Sequence, residues 1–176
     1  MYEGLSVAVV MPVHNEQAQV ERAIRRVPQF VDLIVAIDDG SADESLRVLG
    51  MISDKRLTIR AHGENRGVGA ATKTGYHFAM ASGADLIAVM DGDGQMDGRD
   101  LAALLDRAIG GADYVKGNRF LHREGIEGMP RLRYFGNRFF SWLTRCASGY
   151  ESSLDAHCGY TVIRREALKR FAIDRL

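Results

Sequence analysis

The sequence contains few of the residues that build disulfide-rich, zinc-stabilised or membrane-spanning proteins. Its 176 residues include two cysteines, three prolines and one tryptophan. Because Cys146 and Cys158 show no CxxC or Cys/His spacing, we expect neither a disulfide scaffold nor a zinc site, and a reduced cytoplasmic setting is favoured. No apolar run approaches the roughly 18 residues that a membrane span requires, and the first residues lack the apolar region of a signal peptide. These absences favour a protein that is soluble or peripheral to a membrane.

The chain also lacks a net charge. Its 23 Lys and Arg side chains are balanced by 23 Asp and Glu side chains. A bulk attraction to nucleic acid is therefore not expected. The balance hides an asymmetry, because residues 1–118 carry 12 basic and 17 acidic side chains, whereas residues 119–176 carry 11 basic and 6 acidic ones. We expect the two parts to face different partners, or different parts of one ligand.

What the sequence does contain is an alternation of short apolar runs with segments of helical period. The length suits one domain, and 46% hydrophobic residues can form its core. Strands are predicted over residues 5–11, 32–38, 56–61, 85–91 and 112–117, and helices over residues 17–27, 42–52, 68–81 and 98–109. Continuously apolar strands are buried on both faces. We therefore predict an α/β fold with a doubly wound, mostly parallel sheet and helices on both faces.

Polar motifs follow three of these strands. The first strand ends in PVHNE (residues 12–16), the second in DDGSAD (38–43) and the fourth in DGDGQMD (91–97). In doubly wound sheets, ligands bind at the carboxyl ends of the strands. The sequence therefore predicts that the three motifs converge on one crevice.

Asp91 and Asp93 are the candidates for a metal site. If the backbone stays extended after the strand, their side chains point the same way, and two like charges so close demand a cation. Mg²⁺ and Mn²⁺ prefer oxygen ligands, and Mg²⁺ usually takes one or two carboxylates while phosphate oxygens complete its shell. Gly92 and Gly94 would let a phosphate approach the backbone. The alternative is an acidic turn with Asp97 as the N-cap of the next helix, which is the commoner outcome for an isolated DxD.

The other two strand ends have ordinary explanations beside functional ones. Ser41 or Asp43 is expected to cap the helix after the second strand. Turn chemistry leaves Asp38 and Asp39 unexplained, and a carboxylate at a strand end can accept a hydrogen bond from a base N–H or a ribose hydroxyl. For PVHNE the ordinary explanation is an Asx turn that leads into the first helix.

Residues 64–75, ENRGVGAATKTG, are rich in glycine but do not form a dinucleotide-binding fingerprint. The glycines miss the G-x-G-x-x-G spacing, and they follow the third strand rather than the first. Arg66 and Lys73 are candidate cations beside a phosphate or base, with a solvated helix face as an equally good alternative.

Six motifs, in this order, carry a resemblance to a known family: PVHNE, IDDGSADES, ENRGVGAATKTG, DGDGQMD, KGNRF and DAHCGY. Together they resemble the inverting family-two glycosyltransferases of the GT-A fold, of the dolichol-phosphate mannose synthase and undecaprenyl-phosphate glycosyltransferase type. The resemblance runs from residue 5 to about residue 170. The ordered set is far more specific than any one motif.

The resemblance implies residues that hold the nucleotide. In that family the PxxNE segment cradles it, which implicates Pro12, His14 and Glu16, although an aromatic residue is common where His14 stands. The aspartate that reads the base or ribose falls on Asp39, with Ile37 before it. A nucleotide-sugar-binding role is thus implied for residues 1–118.

The resemblance also implies residues at the reacting end of the substrate. Asp91 and Asp93 are implied as ligands of the metal and the diphosphate, and Arg119 as the arginine that meets the diphosphate. Asp155 is implied as the general base near the acceptor. The further predicted substrate contacts are Arg66, Gly92 and Gln95.

The implied reaction is a metal-dependent transfer, with inversion, of a sugar from a UDP- or GDP-linked donor. The implied cofactor is Mg²⁺ or Mn²⁺, and the implied acceptor is polyprenyl phosphate at the cytoplasmic face of the membrane. One alternative is a transferase of the same fold that acts on a polysaccharide or protein, because a fold does not fix the acceptor. The other is a nucleotide-sugar-binding module without turnover.

The basic second part of the chain offers a membrane contact. Residues 130–148 are predicted to form a helix with Arg131, Arg138 and Arg145 in one stripe and aromatic side chains in another. Such a helix suits a membrane interface and the anionic head of a polyprenyl phosphate. The alternative is a helix whose aromatic face packs on the domain. The loop over residues 120–130 is interpreted as a mobile flap over the site.

On this interpretation residues 119–176 form the acceptor-side half of a single domain. The resemblance implies that related transferases usually continue beyond the point at which this chain ends. A chain truncated at its C-terminus is therefore one interpretation of the sequence.

Overall fold

A computed structural model of the chain describes residues 1–117, 142, 146 and 158–171. The chain divides into two compact units, of which one comprises Met1–Val115 with Tyr160–Leu176 and the other Lys116–Gly159. The first unit contains the sheet except for Lys116, the last residue of its shortest strand. In the second unit, Trp142 is exposed and Cys158 is buried. The predicted functional halves divide the chain differently and stay a prediction.

Six strands form one mixed sheet. The strands are β1 (Val7–Val13), β2 (Leu33–Asp39), β3 (Leu57–His62), β4 (Leu86–Val89), β5 (Tyr114–Lys116) and β6 (Thr161–Arg164). Their order across the sheet is β3-β2-β1-β4-β6-β5. β1 runs parallel to β2 and β4, and β2 runs parallel to β3, whereas β6 runs antiparallel to β4. The predicted α/β fold with a mostly parallel sheet is confirmed, and β6 is a strand that the sequence did not predict.

The helices in the described residues are α1 (Val20–Arg26), α2 (Ser45–Met51), α3 (Val68–Ala81), α4 (Asp100–Ile109) and α5 (Arg165–Arg170). α3 has its predicted bounds. α1, α2 and α4 begin two or three residues later than predicted. Among the described residues, no helix has the length and apolarity needed to cross a bilayer.

The late starts of α1 and α2 arise from hydrogen bonds between the loops that precede them. The backbone N–H of Asn15 donates to Ser41 Oγ at 3.0 Å, and the N–H of Glu16 donates to Ser45 Oγ at 2.7 Å. In return, the N–H of Ala42 donates to Asn15 Oδ1 at 2.8 Å. Side chains of one loop therefore satisfy backbone groups of the other, in competition with helix formation. The loops after β1 and β2 are thereby joined.

The predicted cap of α2 needs correction. Ser41 lies before the cap position, and its Oγ accepts the N–H of Asn15 in the neighbouring loop. The N-cap position belongs to Glu44, which makes no side-chain cap hydrogen bond. Asp43 Oδ1 instead accepts the N–H of Ser45, the first residue of α2, at 2.9 Å.

The centre of the sheet is covered on both faces. All seven residues of β1 are buried. On one face, Ala71 of α3 packs with Val35 and Ile37 of β2. The alternate residues Ile34 and Ala36 are equally buried, so the opposite face is covered as well. This burial explains why the strands are continuously apolar in the sequence.

Replacing Gly75 of α3 by Ala should destabilise the fold, because the new Cβ would overlap Val10 Cγ1 of β1. We expect a loss of about 1–3 kcal/mol in the free energy of unfolding, the usual result of overpacking a core. The matched control is Gly50→Ala in α2, where nothing lies within 4 Å of the new Cβ. There the better helix propensity of Ala should add up to about 1 kcal/mol. Urea unfolding measures both, and equal destabilisation of the two variants contradicts this packing.

Candidate functional site

A cleft of about 380 Å³ opens at the carboxyl ends of β1, β2 and β4. Seven of the residues predicted from the sequence line it: Pro12, His14, Glu16, Asp39, Asp91, Gly92 and Asp93. The lining residues that the prediction missed are Val13, Asn65, Gly67, Val68 and Ala71. Residues from three separate motifs therefore meet in one place, as expected for parallel strands that end at the same edge.

Three other predicted residues lie near the cleft without lining it. Ile37 is fully buried in the sheet core. Arg66 has a largely exposed side chain 3.9 Å from Glu64, but its backbone N–H donates to Asp39. Gln95 is exposed. Their predicted substrate contacts stay predictions, and Arg119 and Asp155 lie outside the described residues.

The acidic loop after β4 is a turn rather than an extended segment. β4 ends at Val89, and Gly94 adopts a positive φ of 67°. Asp93 Oδ1 accepts the N–H of Gln95 at 2.9 Å, which is an Asx turn. The condition of an extended backbone, under which the two side chains would point the same way, is therefore not met. Asp91 and Asp93 reach the same cleft because the chain bends.

The C-terminal end of α1 holds this loop in place. Arg26 Nη1 donates to the carbonyl of Gly94 at 2.8 Å. A Cβ on Gly94 would stand 3.3 Å from Arg22 Nε, and a Cβ on Gly98 would collide with the carbonyl of Arg26. The loop thus touches α1 at two points four residues apart. Gly98 is required because the colliding atom belongs to the backbone, and at Gly94 the positive φ is what favours glycine.

The predicted N-cap role of Asp97 is wrong, because the N-cap residue of α4 is Arg99. The Asp97 carboxylate accepts the backbone N–H of Arg99 at 2.9 Å and pairs with its guanidinium at 2.6 Å. The hydrogen bond from the Arg99 side chain lowers the pKa of Asp97 to about 2. Asp97 is therefore an ionised turn residue, and it does not line the cleft.

Asp38, which turn chemistry had left unexplained, is in fact a turn residue. It is 2% exposed, and its Oδ2 accepts the N–H of Ser41 at 3.2 Å. Asp39, the next residue along β2, instead lines the cleft. This difference follows from the alternation of side chains along a strand.

Asp39 is held by several donors. It is 3% exposed, and its Oδ1 lies 2.6 Å from His62 Nδ1 and 3.1 Å from the N–H of Arg66. Burial by itself would raise the pKa of this carboxyl group, but the hydrogen bonds from His62 and Arg66, with the N–H of Gly67 nearby, outweigh it and lower the pKa. Asp39 is thus an ionised, oriented hydrogen-bond acceptor at the wall of the cleft.

His14 joins the motifs that follow three strands. Its Nδ1 lies 2.9 Å from the carbonyl of Asp39, and its Nε2 lies 3.1 Å and 3.0 Å from Nδ2 of Asn15 and Asn65. The Oδ1 atoms of both asparagines accept backbone N–H groups, from Ala42 and Gly67 respectively. Both amide nitrogens therefore face His14, so Nε2 is the acceptor and Nδ1 carries the proton. His14 therefore uses both ring nitrogens to tie the three segments together.

The cleft carries a surplus of negative charge. Burial, and then the charges of Asp93, Asp43 and Asp91, raise the pKa of Glu16. Carboxylate oxygens are the ligands that Mg²⁺ and Mn²⁺ prefer. Within the described residues there is no group of three or more His, Cys, Asp and Glu side chains placed to hold a metal alone. Asp91 and Asp93 offer carboxylate oxygens that fit such a cation, and a bound phosphate would have to supply the rest of its shell.

Lowering the pH should weaken the fold through Asp39. Because the folded pKa lies below the ordinary 3.8, the stabilisation by the ionised carboxylate is present above that value and is lost as the pH falls through the folded pKa. The Asp39→Asn variant lacks this contribution. Urea unfolding at pH 5, 4 and 3 should therefore show a smaller acid-induced loss for the variant than for wild type. If wild type and Asp39→Asn lost the same unfolding free energy between pH 5 and pH 3, the lowered pKa of Asp39 would be contradicted.

The fold and the cleft agree with one family. The chain belongs to glycosyl transferase family 2, whose model matches residues 8–171. The family and the enzyme class predicted from the six motifs are thereby confirmed. Among solved structures, a glucosyl-3-phosphoglycerate synthase from Mycobacterium tuberculosis, crystallised with Mn²⁺ and UDP-glucose, is similar at a TM-score of 0.69 and 18% identity, over 93% of this chain and 57% of that one. This likeness supports the GT-A fold.

Curated relatives are more similar in sequence. The chain is 27% identical over 180 residues to a UDP-N-acetylglucosamine–dolichyl-phosphate N-acetylglucosaminyltransferase of Methanococcus voltae, covering 93% of this chain and 71% of the relative. It is 28% identical over 173 residues to a polyprenol monophosphomannose synthase of Mycolicibacterium smegmatis, covering 94% and 64% respectively. The chain thus spans about two thirds of these relatives and less than three fifths of the solved structure.

Proposed function

We propose that this chain transfers a sugar from a nucleoside-diphosphate sugar to polyprenyl phosphate, with inversion at the anomeric carbon. The observation that carries the proposal is the gathering of Glu16, Asp91 and Asp93 in a cleft that Asp39 also lines. The relatives named for dolichyl phosphate and polyprenol support the acceptor. The similar structure with UDP-glucose and Mn²⁺ supports the donor and the cation.

The two sides of the cleft suit the two ends of the donor. Asp39 is an ionised acceptor for an N–H or a hydroxyl of the nucleoside, and Pro12 and His14 form the wall beside it. At the other side, Asp91 and Asp93 would hold Mg²⁺ or Mn²⁺, which when bound supplies positive charge that stabilises the departing diphosphate.

The chemical step is a single displacement. An oxygen of the acceptor phosphate forms a bond to the anomeric carbon while the bond from that carbon to the diphosphate breaks, and the nucleoside diphosphate leaves with the electron pair. Because the acceptor phosphate is already ionised, the base proposed at Asp155 mainly orients it. Most of the barrier lowering then comes from the leaving-group side, where Arg119 is proposed to assist.

The acceptor side of the proposal rests on the basic part of the chain. Residues 130–148, of which the structure describes only 142 and 146, are proposed to lie at the cytoplasmic face of the membrane. Their arginines would attract the anionic head of the lipid. The acidic cleft and the basic segment would then act on opposite ends of the reaction, which accounts for the charge asymmetry of the sequence.

Replacing Asp93 by Asn should weaken Mn²⁺-dependent binding of UDP or GDP by about tenfold or more, because one carboxylate ligand loses its charge. The substitution keeps Oδ1, so the turn with Gln95 can survive. The control is Asp100→Asn, an exposed position in the first turn of α4. Isothermal titration with and without Mn²⁺ measures the effect. If Asp93→Asn bound as tightly as the Asp100 variant, the metal assignment would be wrong.

The acceptor is tested by transfer of radiolabel from UDP-glucose, UDP-GlcNAc and GDP-mannose. Liposomes that contain undecaprenyl phosphate should take up label, whereas liposomes with undecaprenol, which lacks the phosphate, should not. Label in polysaccharide or protein instead would favour the alternative acceptor. Metal-dependent nucleotide binding without transfer to any of them would favour a binding module.

A further inference from the structure

His62 lies behind Asp39 at the end of β3. The two residues are paired in the register of β2 and β3, and His62 Nδ1 stands 2.6 Å from Asp39 Oδ1. Their side chains are 8% and 4% exposed. Asp39 lines the cleft, and His62 is not among the residues that do. The imidazole therefore supports the carboxylate from the protein side.

Thr74 of α3 completes this arrangement. Its Oγ1 lies 3.0 Å from His62 Nε2. An ionised carboxylate can only accept hydrogen bonds, so Nδ1 of His62 carries the proton that faces Asp39. In the neutral imidazole, Nε2 is then the acceptor, and the Thr74 hydroxyl donates to it. The second hydrogen bond fixes both the tautomer and the ring plane of His62, as outer partners commonly do for functional histidines.

The contacts of Asp39 make it a hydrogen-bond acceptor towards a ligand in the cleft. Oδ1 is occupied by His62 and by the N–H of Arg66, and a carboxylate so held presents acceptor lone pairs and no proton to a ligand. Uracil and guanine offer a ring N–H on their pairing edge. Cytosine and adenine offer a ring nitrogen lone pair at the same place, which an ionised carboxylate repels.

We infer that His62 and Thr74 are positioning residues that hold Asp39 as a proton-free acceptor and so make the site select nucleotides whose base offers a ring N–H. This inference rests on the proposed function, because it takes the cleft to be a nucleotide site. It goes beyond that proposal in assigning base selectivity to two residues that do not line the cleft. If His62 and Thr74 only supported the fold, their loss would weaken the binding of all nucleotides alike.

The experiment compares the dissociation constants of UDP, GDP, CDP and ADP in the presence of Mn²⁺. Wild type should prefer UDP or GDP over CDP and ADP by at least about tenfold, the usual order for one hydrogen bond to a charged group. His62→Phe removes the N–H that donates to Asp39. The preference of this variant for UDP or GDP over CDP and ADP should shrink by about tenfold, chiefly through weaker binding of the preferred nucleotide.

A milder pair of variants keeps the test valid if His62→Phe folds poorly. Thr74→Val has the same shape without the hydroxyl and should lose part of the preference, whereas Thr74→Ser keeps the hydroxyl and should retain it. The control is His77→Gln, at an exposed position of the same helix, which should leave the preference unchanged. A second readout is the ¹⁵N shift of His62 Nδ1, which should report a protonated nitrogen in wild type and in Thr74→Ser.

The outcomes separate this inference from the proposed function. Wild type that binds none of the four nucleotides contradicts the proposed function and the inference with it. Wild type that prefers UDP or GDP, together with Thr74→Val and His62→Phe variants that keep the same preference, contradicts the inference alone. A preference that narrows in both variants and returns in Thr74→Ser supports it.

Discussion

Repulsion between carboxylates in one cleft is the interaction on which the functional account depends. Parallel strands that end at the same edge bring Glu16 from the segment after β1 together with Asp91 and Asp93 from the turn after β4. Burial and these neighbouring charges raise the pKa of Glu16. A divalent cation that arrives with a phosphate ligand would remove this repulsion, so the same charges that strain the free protein would favour the bound state.

The carboxylates of the cleft are held in position by contacts with neighbouring elements. Arg26 and the close packing of Gly98 fix the acidic turn against α1, and the bond between Glu16 and Ser45 joins the loops after β1 and β2. His62 fixes Asp39. Each support comes from outside the cleft, and each limits the rearrangement that ligand binding would otherwise require. Preorganisation of this kind is what electrostatic stabilisation of a leaving group needs.

Much of the fold could be predicted, because continuously apolar strands that alternate with segments of helical period leave strong local patterns in the sequence. The acidic pair Asp91 and Asp93 could also be found, since a strand end with repeated aspartates is unusual. A local sequence pattern cannot show which residues become neighbours when distant segments of the chain pair. A lone histidine at the end of β3 has no motif, so His62 was missed. Only the register that places it beside Asp39 gives it a role.

The same reason explains the errors at helix starts and in the acidic loop. Local pattern assigns Asn15 to a turn and Ser41 to a helix cap, but their side chains form hydrogen bonds across two loops. A pair of aspartates two residues apart would point the same way only on an extended backbone, but contact with α1 and the positive φ of Gly94 bend the chain after β4. In each case a tertiary contact outweighed local preference.

A crystal structure of the protein with UDP or GDP and Mn²⁺, with anomalous data collected at the manganese edge, tests the central claim most directly. We expect one anomalous peak between the carboxylates of Asp91 and Asp93 and the diphosphate, with the base against Asp39. A nucleotide bound with no ion at that position, or with both aspartates turned away from the diphosphate, would contradict it.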